Sequence, residues 1–168
     1  YQNHIFDQLM KVGKEFGLKP YGIRAMNSLR VEKSYKLVGT ELSIEYSPYE
    51  SGLDRFVHPN KGDFIGRAAL DKWRAKGFSN KLVTMEIHGV TDADVLGNNP
   101  IYDNGSVVGR ATSGDFGFRL NKSIALGMVK PELAKVGQKL KIDILGKMHE
   151  ASIVEESPYD SENKLLRA

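Results

Sequence analysis

Side chains able to do chemistry are spread thinly along this chain. Cysteine is absent, which removes disulfides, thiolate nucleophiles and thiolate metal ligands together. The 4 histidines, His4, His58, His88 and His149, are scattered and none has metal-ligand spacing with another. Thr112-Ser113-Gly114 has the look of a nucleophile site. It lacks the strand–turn–helix setting of a nucleophile elbow, and no histidine stands near it in sequence, so a backbone role is expected for it. Gly114 and Gly117 then permit a bend or bulge at a barrel corner. Gly105 to Gly109 lacks the Lys-Ser/Thr and the following helix of a phosphate loop. Arg30 and Glu32 are two residues apart, which puts them on different faces of a helix. A structural tie to the loop before Pro48 is the expectation for them. Glu50 follows a proline turn and suits a carboxylate accepting hydrogen bonds from turn amides.

The elements that position these residues change character partway along. Residues 4–16 and 23–33 carry apolar side chains at helical spacing, with Ile23, Met26 and Leu29 expected inward in the second helix. Leu42, Ile44 and Tyr46 alternate as in a short strand or extended loop. A third helix over 67–76 ends at Gly77, and Trp73 is expected to anchor it to the core. After Gly77 short strands follow one another. Val83, Met85 and Ile87 alternate with polar neighbours. Asn104-Gly105 between apolar pairs predicts a type I′ hairpin. Residues 123–129, 140–144 and 148–154 complete the set, and the last ten residues read as a polar tail. The expected fold is α+β: a helical N-terminal segment followed by a small antiparallel β-barrel, with domains at 1–77 and 78–168.

The 168 residues carry a net charge of +3 and a pI near 9.0. Basic residues are dispersed rather than clustered, which points to a solvated surface and away from nucleic acid. A mildly basic cleft still favours a polyanionic ligand. No apolar run approaches the roughly 20 residues of a membrane span. The start, Tyr1-Gln2-Asn3-His4, has neither a basic leader nor a Met, so a fragment of something longer is expected.

Taken in order, three stretches resemble the folate-dependent aminomethyltransferases, the glycine-cleavage T-protein family. The first is Gly22 to Lys33, with Asn27-Ser28-Leu29-Arg30-Val31-Glu32 similar to the family's Ser-Leu-Arg-Leu-Glu helix. The second is Ser47-Pro48-Tyr49-Glu50-Ser51-Gly52-Leu53, leading into Lys61 to Leu70. The third is Asn104 to Val129, with its Thr-Ser-Gly. The variant Arg24-Ala25-x-x-Ser28-Leu29-Arg30-x-Glu32-Lys33 and the Lys164-Leu165-Leu166-Arg167 ending resemble the dimethylglycine and sarcosine dehydrogenase branch.

The resemblance implies tetrahydrofolate as cofactor and a small methylated amine or imine as substrate. It implies FAD only where an oxidase domain lies upstream. In that branch formaldehyde or its imine passes to tetrahydrofolate to give 5,10-methylenetetrahydrofolate. It implies a catalytic aspartate in the other half of the module, so no catalytic residue in this chain and a missing N-terminal half as partner. Its cofactor-binding candidates here are Arg24, Asn27, Arg30, Glu32 and Tyr159. The family's folate-contacting arginine aligns with Met26, two residues from Arg24, so a helix-surface ion pair stands beside ligand contact for Arg24. A glycine-cleavage aminomethyltransferase, a dimethylsulfoniopropionate demethylase fragment and a non-catalytic folate-binding module stand as alternatives. A cytoplasmic protein is implied, or a mitochondrial matrix protein in a eukaryote.

Overall fold

A computed structural model describes residues 1–168. Three helices, α1 (Gln2–Gly13), α2 (Ile23–Glu32) and α3 (Arg67–Lys76), precede six strands. The strands are β1 (Lys81–Ile87), β2 (Pro100–Asp103), β3 (Ser106–Gly117), β4 (Lys122–Val129), β5 (Lys139–Ile144) and β6 (Lys147–Val154). They close into an antiparallel barrel in the order β1-β4-β3-β2-β5-β6, β1 pairing with both β4 and β6. Closure leaves no unpaired strand edge. No helix is long and apolar enough to cross a membrane.

The hairpin at Asn104-Gly105 forms as the sequence predicts, with φ of 46° and 80° at the two turn residues. The Thr-Ser-Gly segment bends as expected too. The β3–β4 register slips between Ala111 and Ser113, leaving Thr112 as the extra residue of a bulge. At Gly114 a Cβ would sit 2.5 Å from the Val95 Cβ, so only glycine lets the 90–95 loop pack down on β3.

The core lies inside the barrel and includes Met85, Ile101, Ala125, Leu140 and Ile142. In β4 both faces are buried. Ala125 and Val129 point inward, while Ile124, Leu126 and Met128 alternate to the outside and are covered as well. The cover on that side is α2, which packs across β3 and β4.

Four local expectations are corrected. Ile23 and Leu29 of α2 are 73% and 52% exposed; the buried residues of that helix are Ser28, Val31 and Glu32. The helix turns its polar side to β3 because the outer surface of the bulged strand offers carbonyls that hydroxyl and amide side chains can pair. Residues 42–46 run as turns, with only an isolated bridge between Val38 and Leu42. Trp73 is half-buried and outside the barrel core, and α3 has no buried residue. The C-terminal segment is not a free tail, since Ser157, Tyr159, Asp160 and Asn163 all bond to the end of α2 or the residues just after it.

Candidate functional site

Helix α2 is fixed on the barrel by side chains that bond to β3. The Asn27 Nδ2 donates to the Gly114 carbonyl at 3.0 Å and to Asp115 at 2.7 Å. The Ser28 hydroxyl donates to the Phe116 carbonyl at 2.6 Å. Arg30 spreads its fork over three partners: Asn27 Oδ1 at 2.9 Å, the Tyr35 carbonyl at 3.0 Å and Ser113 Oγ at 2.7 Å.

Ser113 passes the chain of bonds onward. Its hydroxyl donates to Glu41 Oε1 at 2.5 Å, and the other Glu41 oxygen accepts from the Leu37 amide and the Thr40 hydroxyl. Glu41 is 0% exposed and lies 3.5 Å from Arg30. Burial pushes its carboxyl up. The hydrogen bonds from Ser113, Leu37 and Thr40 outweigh that push and hold it below the usual carboxylate range. Ser113 is therefore a buried link between a guanidinium and a carboxylate.

Glu32 turns to another part of the barrel. Its Oε1 accepts the backbone amides of Arg119 at 2.6 Å and Leu120 at 3.2 Å. At Gly117 a Cβ would meet the Glu32 Cγ at 2.9 Å, so the bare backbone there makes room for this carboxylate. Arg30 and Glu32 thus go to different places: Arg30 to the loop before Pro48, Glu32 to the β3–β4 turn. Glu50 accepts from the Ser47 amide and hydroxyl and from the Asn80 amide, holding its own turn against the start of β1. Burial pushes its carboxyl up, and these amide and hydroxyl donors prevail and lower it.

The C-terminal segment then folds over the end of α2. The Tyr159 amide donates to the Glu32 carbonyl at 3.0 Å. Lys33 Nζ donates to the Asp160 carbonyl and to Asn163 Oδ1 at 2.6 and 2.7 Å. Between this segment, α2 and the β3–β4 turn lies a cleft of about 440 Å³. Met26, Leu29 and Tyr21 give it apolar walls, while Arg119 sits over the Tyr159 ring at 6.0 Å.

Of the sequence candidates, Arg30, Glu32 and Tyr159 line this cleft together. Asn27 and Arg24 do not: Asn27 faces β3, and Arg24 makes a surface ion pair with Asp94 at 2.7 Å. Sequence reasoning missed Glu41, Tyr35 and Arg119. Glu41 and Arg119 reach their partners across 72 and 87 residues of chain, and no local pattern marks such a contact. No group of three or more His, Cys, Asp or Glu is placed to hold a metal ion. The cleft has the volume of a small-molecule site. Its lining joins apolar side chains to the cations of Lys33 and Arg119 and the carboxylates of Glu32 and Asp160.

Two family models match the chain. Residues 80–160 match the glycine cleavage T-protein C-terminal barrel domain, and residues 1–61 match the GCVT N-terminal domain. Human mitochondrial dimethylglycine dehydrogenase is 40% identical over 90% of the chain, which spans 18% of that protein. The aminomethyltransferase of Synechocystis is 39% identical over 94% of the chain, which spans 42% of it. Among solved structures, the glycine cleavage system aminomethyltransferase T from Bartonella henselae aligns with a TM-score of 0.74 at 25% identity, over 82% of this chain and 38% of that one. The chain thus spans less than half the length of each. The barrel match, the helix match ahead of it and the shared fold agree in order along the sequence, and the chain belongs to the glycine cleavage T-protein family, as a C-terminal part of the longer proteins it resembles.

Proposed function

We propose that this chain is the C-terminal part of an enzyme that moves a one-carbon unit to tetrahydrofolate, of the dimethylglycine or sarcosine dehydrogenase type. The observation that carries the reading is the cleft beside α2, where Arg30, Glu32 and Tyr159 converge in a chain of this family. Tetrahydrofolate, when bound, supplies the nitrogens that accept the one-carbon unit.

The chain's own residues bind and orient. Met26, Leu29 and Tyr159 pack against a flat ring and exclude water from it. Arg119 lies where it attracts an acidic tail. Arg30 and Glu32 set the wall of the cleft, Arg30 through its bonds to Ser113 and Tyr35 and Glu32 through the β3–β4 turn. Arg24 reaches a ligand only by leaving Asp94, and Asn27 acts through Arg30, whose Nε–H it accepts. Catalysis here is positioning of reactants. The substrate is a small methylated amine or imine, the catalytic groups come from a partner N-terminal half, and FAD enters only with an upstream oxidase domain. The setting is the cytoplasm, or the mitochondrial matrix in a eukaryote.

The apolar side of α1 supports the need for that partner half. Ile5, Phe6, Leu9 and Val12 are each more than half exposed, and none of the 12 helix residues is buried. An assay of product formation from formaldehyde and tetrahydrofolate tests the reading. The chain alone is expected to give no rate above the spontaneous condensation of the two, and the chain mixed with an upstream aminomethyltransferase half is expected to exceed it. A catalysed rate from the chain alone, or no acceleration by the pair despite complex formation, overturns it. A glycine-cleavage aminomethyltransferase remains the second reading, favoured by the 39% identity to the Synechocystis protein.

A further inference from the structure

The mouth of the barrel holds a second concavity, of about 450 Å³, under the 90–94 loop. Val90, Ala93 and Phe116 give it apolar walls, and Asp92 and Asp94 add two carboxylates. No basic residue lines it. Ser123 lines it from β4, on the same strand face as the inward residues Ala125 and Val129. That residue is 5% exposed, and its hydroxyl is buried without a hydrogen-bond partner. A buried hydroxyl without a partner is rare in a folded protein, and one that lines a concavity is a candidate contact for a bound group.

The neighbouring cations hold these acids loosely. Arg24, 74% exposed at its side chain, approaches Asp94 from outside the concavity. Lys147 stands 3.6 Å from Asp92, with both side chains about 70% exposed. Exposed pairs of this kind yield readily to a better-placed cation.

We propose that the barrel mouth binds an alkylammonium group. Its N–H donors reach the Ser123 hydroxyl and the carboxylates of Asp92 and Asp94, and its carbon arms lie on Val90, Ala93 and Phe116, whose ring face favours a cation. With only two carboxylates and no third acid or histidine placed to complete a metal shell, an organic cation suits the site better than a metal ion. An amine seated there competes with Arg24 for Asp94, which frees the Arg24 guanidinium. The inference stands on the barrel mouth alone and is independent of the folate reading of the cleft beside α2.

Titration of the whole chain, followed by NMR at the Ser123, Phe116 and Asp94 amides, tests it with three probes: dimethylammonium, N-acetyl-lysine amide and the small neutral control isopropanol. Saturable shifts with dimethylammonium identify a free amine as occupant. Shifts with the lysine derivative alone identify a lysine side chain, and either result supports an ammonium site. Asp92→Asn with Asp94→Asn is expected to weaken binding roughly tenfold. Ser123→Ala is expected to weaken it about threefold, since it removes one hydrogen bond. No shift with either ammonium probe, an equal response to isopropanol, or unchanged affinity in Ser123→Ala overturns the proposal.

Discussion

Glu41 shows how a residue without local signature holds the site together. It is fully buried, and its charge is answered by three donors, Ser113, Leu37 and Thr40, and by Arg30 3.5 Å away. Replacing it by alanine leaves the Arg30 guanidinium, only 11% exposed, without its carboxylate. The expected cost is about 3 kcal/mol, read as a lower urea midpoint. The lowered carboxyl also gives stability a pH dependence. A group whose folded value lies below its unfolded one stabilises fully above the usual 4.5 and loses that contribution as the pH falls through the folded value. Wild-type urea midpoints therefore fall below about pH 4.5, and in Glu41→Gln they fall less steeply. Equal pH profiles for the two proteins would contradict the network. The neighbouring Arg30 and Glu32 were legible as candidates because the Ser-Leu-Arg-x-Glu run is a local pattern. Glu41 was not, because its partners Ser113 and Arg30 come from distant elements.

At the scale of elements, the turn and strand chemistry was readable and the helix faces were not. Asn-Gly sets its hairpin by backbone geometry alone, and a Thr-Ser-Gly bulge follows from having a glycine where the 90–95 loop descends. The α2 reading failed because apolar periodicity predicts which side can be buried, and here tertiary hydrogen bonds decided instead. Asn27 and Ser28 found carbonyls on β3, so Ile23 and Leu29 faced away from the barrel. Gly114→Ala tests the loop packing. Its Cβ would lie 2.6 Å from the Val95 carbonyl oxygen, which is backbone and cannot swing aside. A loss of about 2 kcal/mol is expected in thermal or urea unfolding, and a neutral substitution would show that the loop is not seated on β3. Gly117→Ala instead presses on the Glu32 side chain, so its effect is expected chiefly on the cleft, as a changed environment at Arg119 and Leu120 seen by NMR.

At the scale of the molecule, the barrel is closed and the first helix leaves its apolar side uncovered. The barrel closes on itself around a continuous core, whereas α1 presents Ile5, Phe6, Leu9 and Val12 to solvent. Phe6→Ser with Leu9→Ser is expected to change the stability of this chain by no more than about 0.5 kcal/mol, as for surface positions. The same pair is expected to weaken association with an upstream aminomethyltransferase half, measured by sedimentation or calorimetry. A large loss of stability in the isolated chain would mean that α1 is already packed. The family was legible from three ordered stretches, and Arg30, Glu32 and Tyr159 were candidates through the resemblance; that they meet in one cleft was not legible, because the C-terminal segment reads as a polar tail. The central claim is that this cleft holds tetrahydrofolate, and calorimetric titration of the whole chain with tetrahydrofolate tests it most directly. The account predicts saturable binding that Tyr159→Ala weakens about tenfold, the loss expected for one aromatic wall and its stacked cation, with the melting temperature little changed. Absence of saturable binding, or equal affinity in Tyr159→Ala, would contradict it.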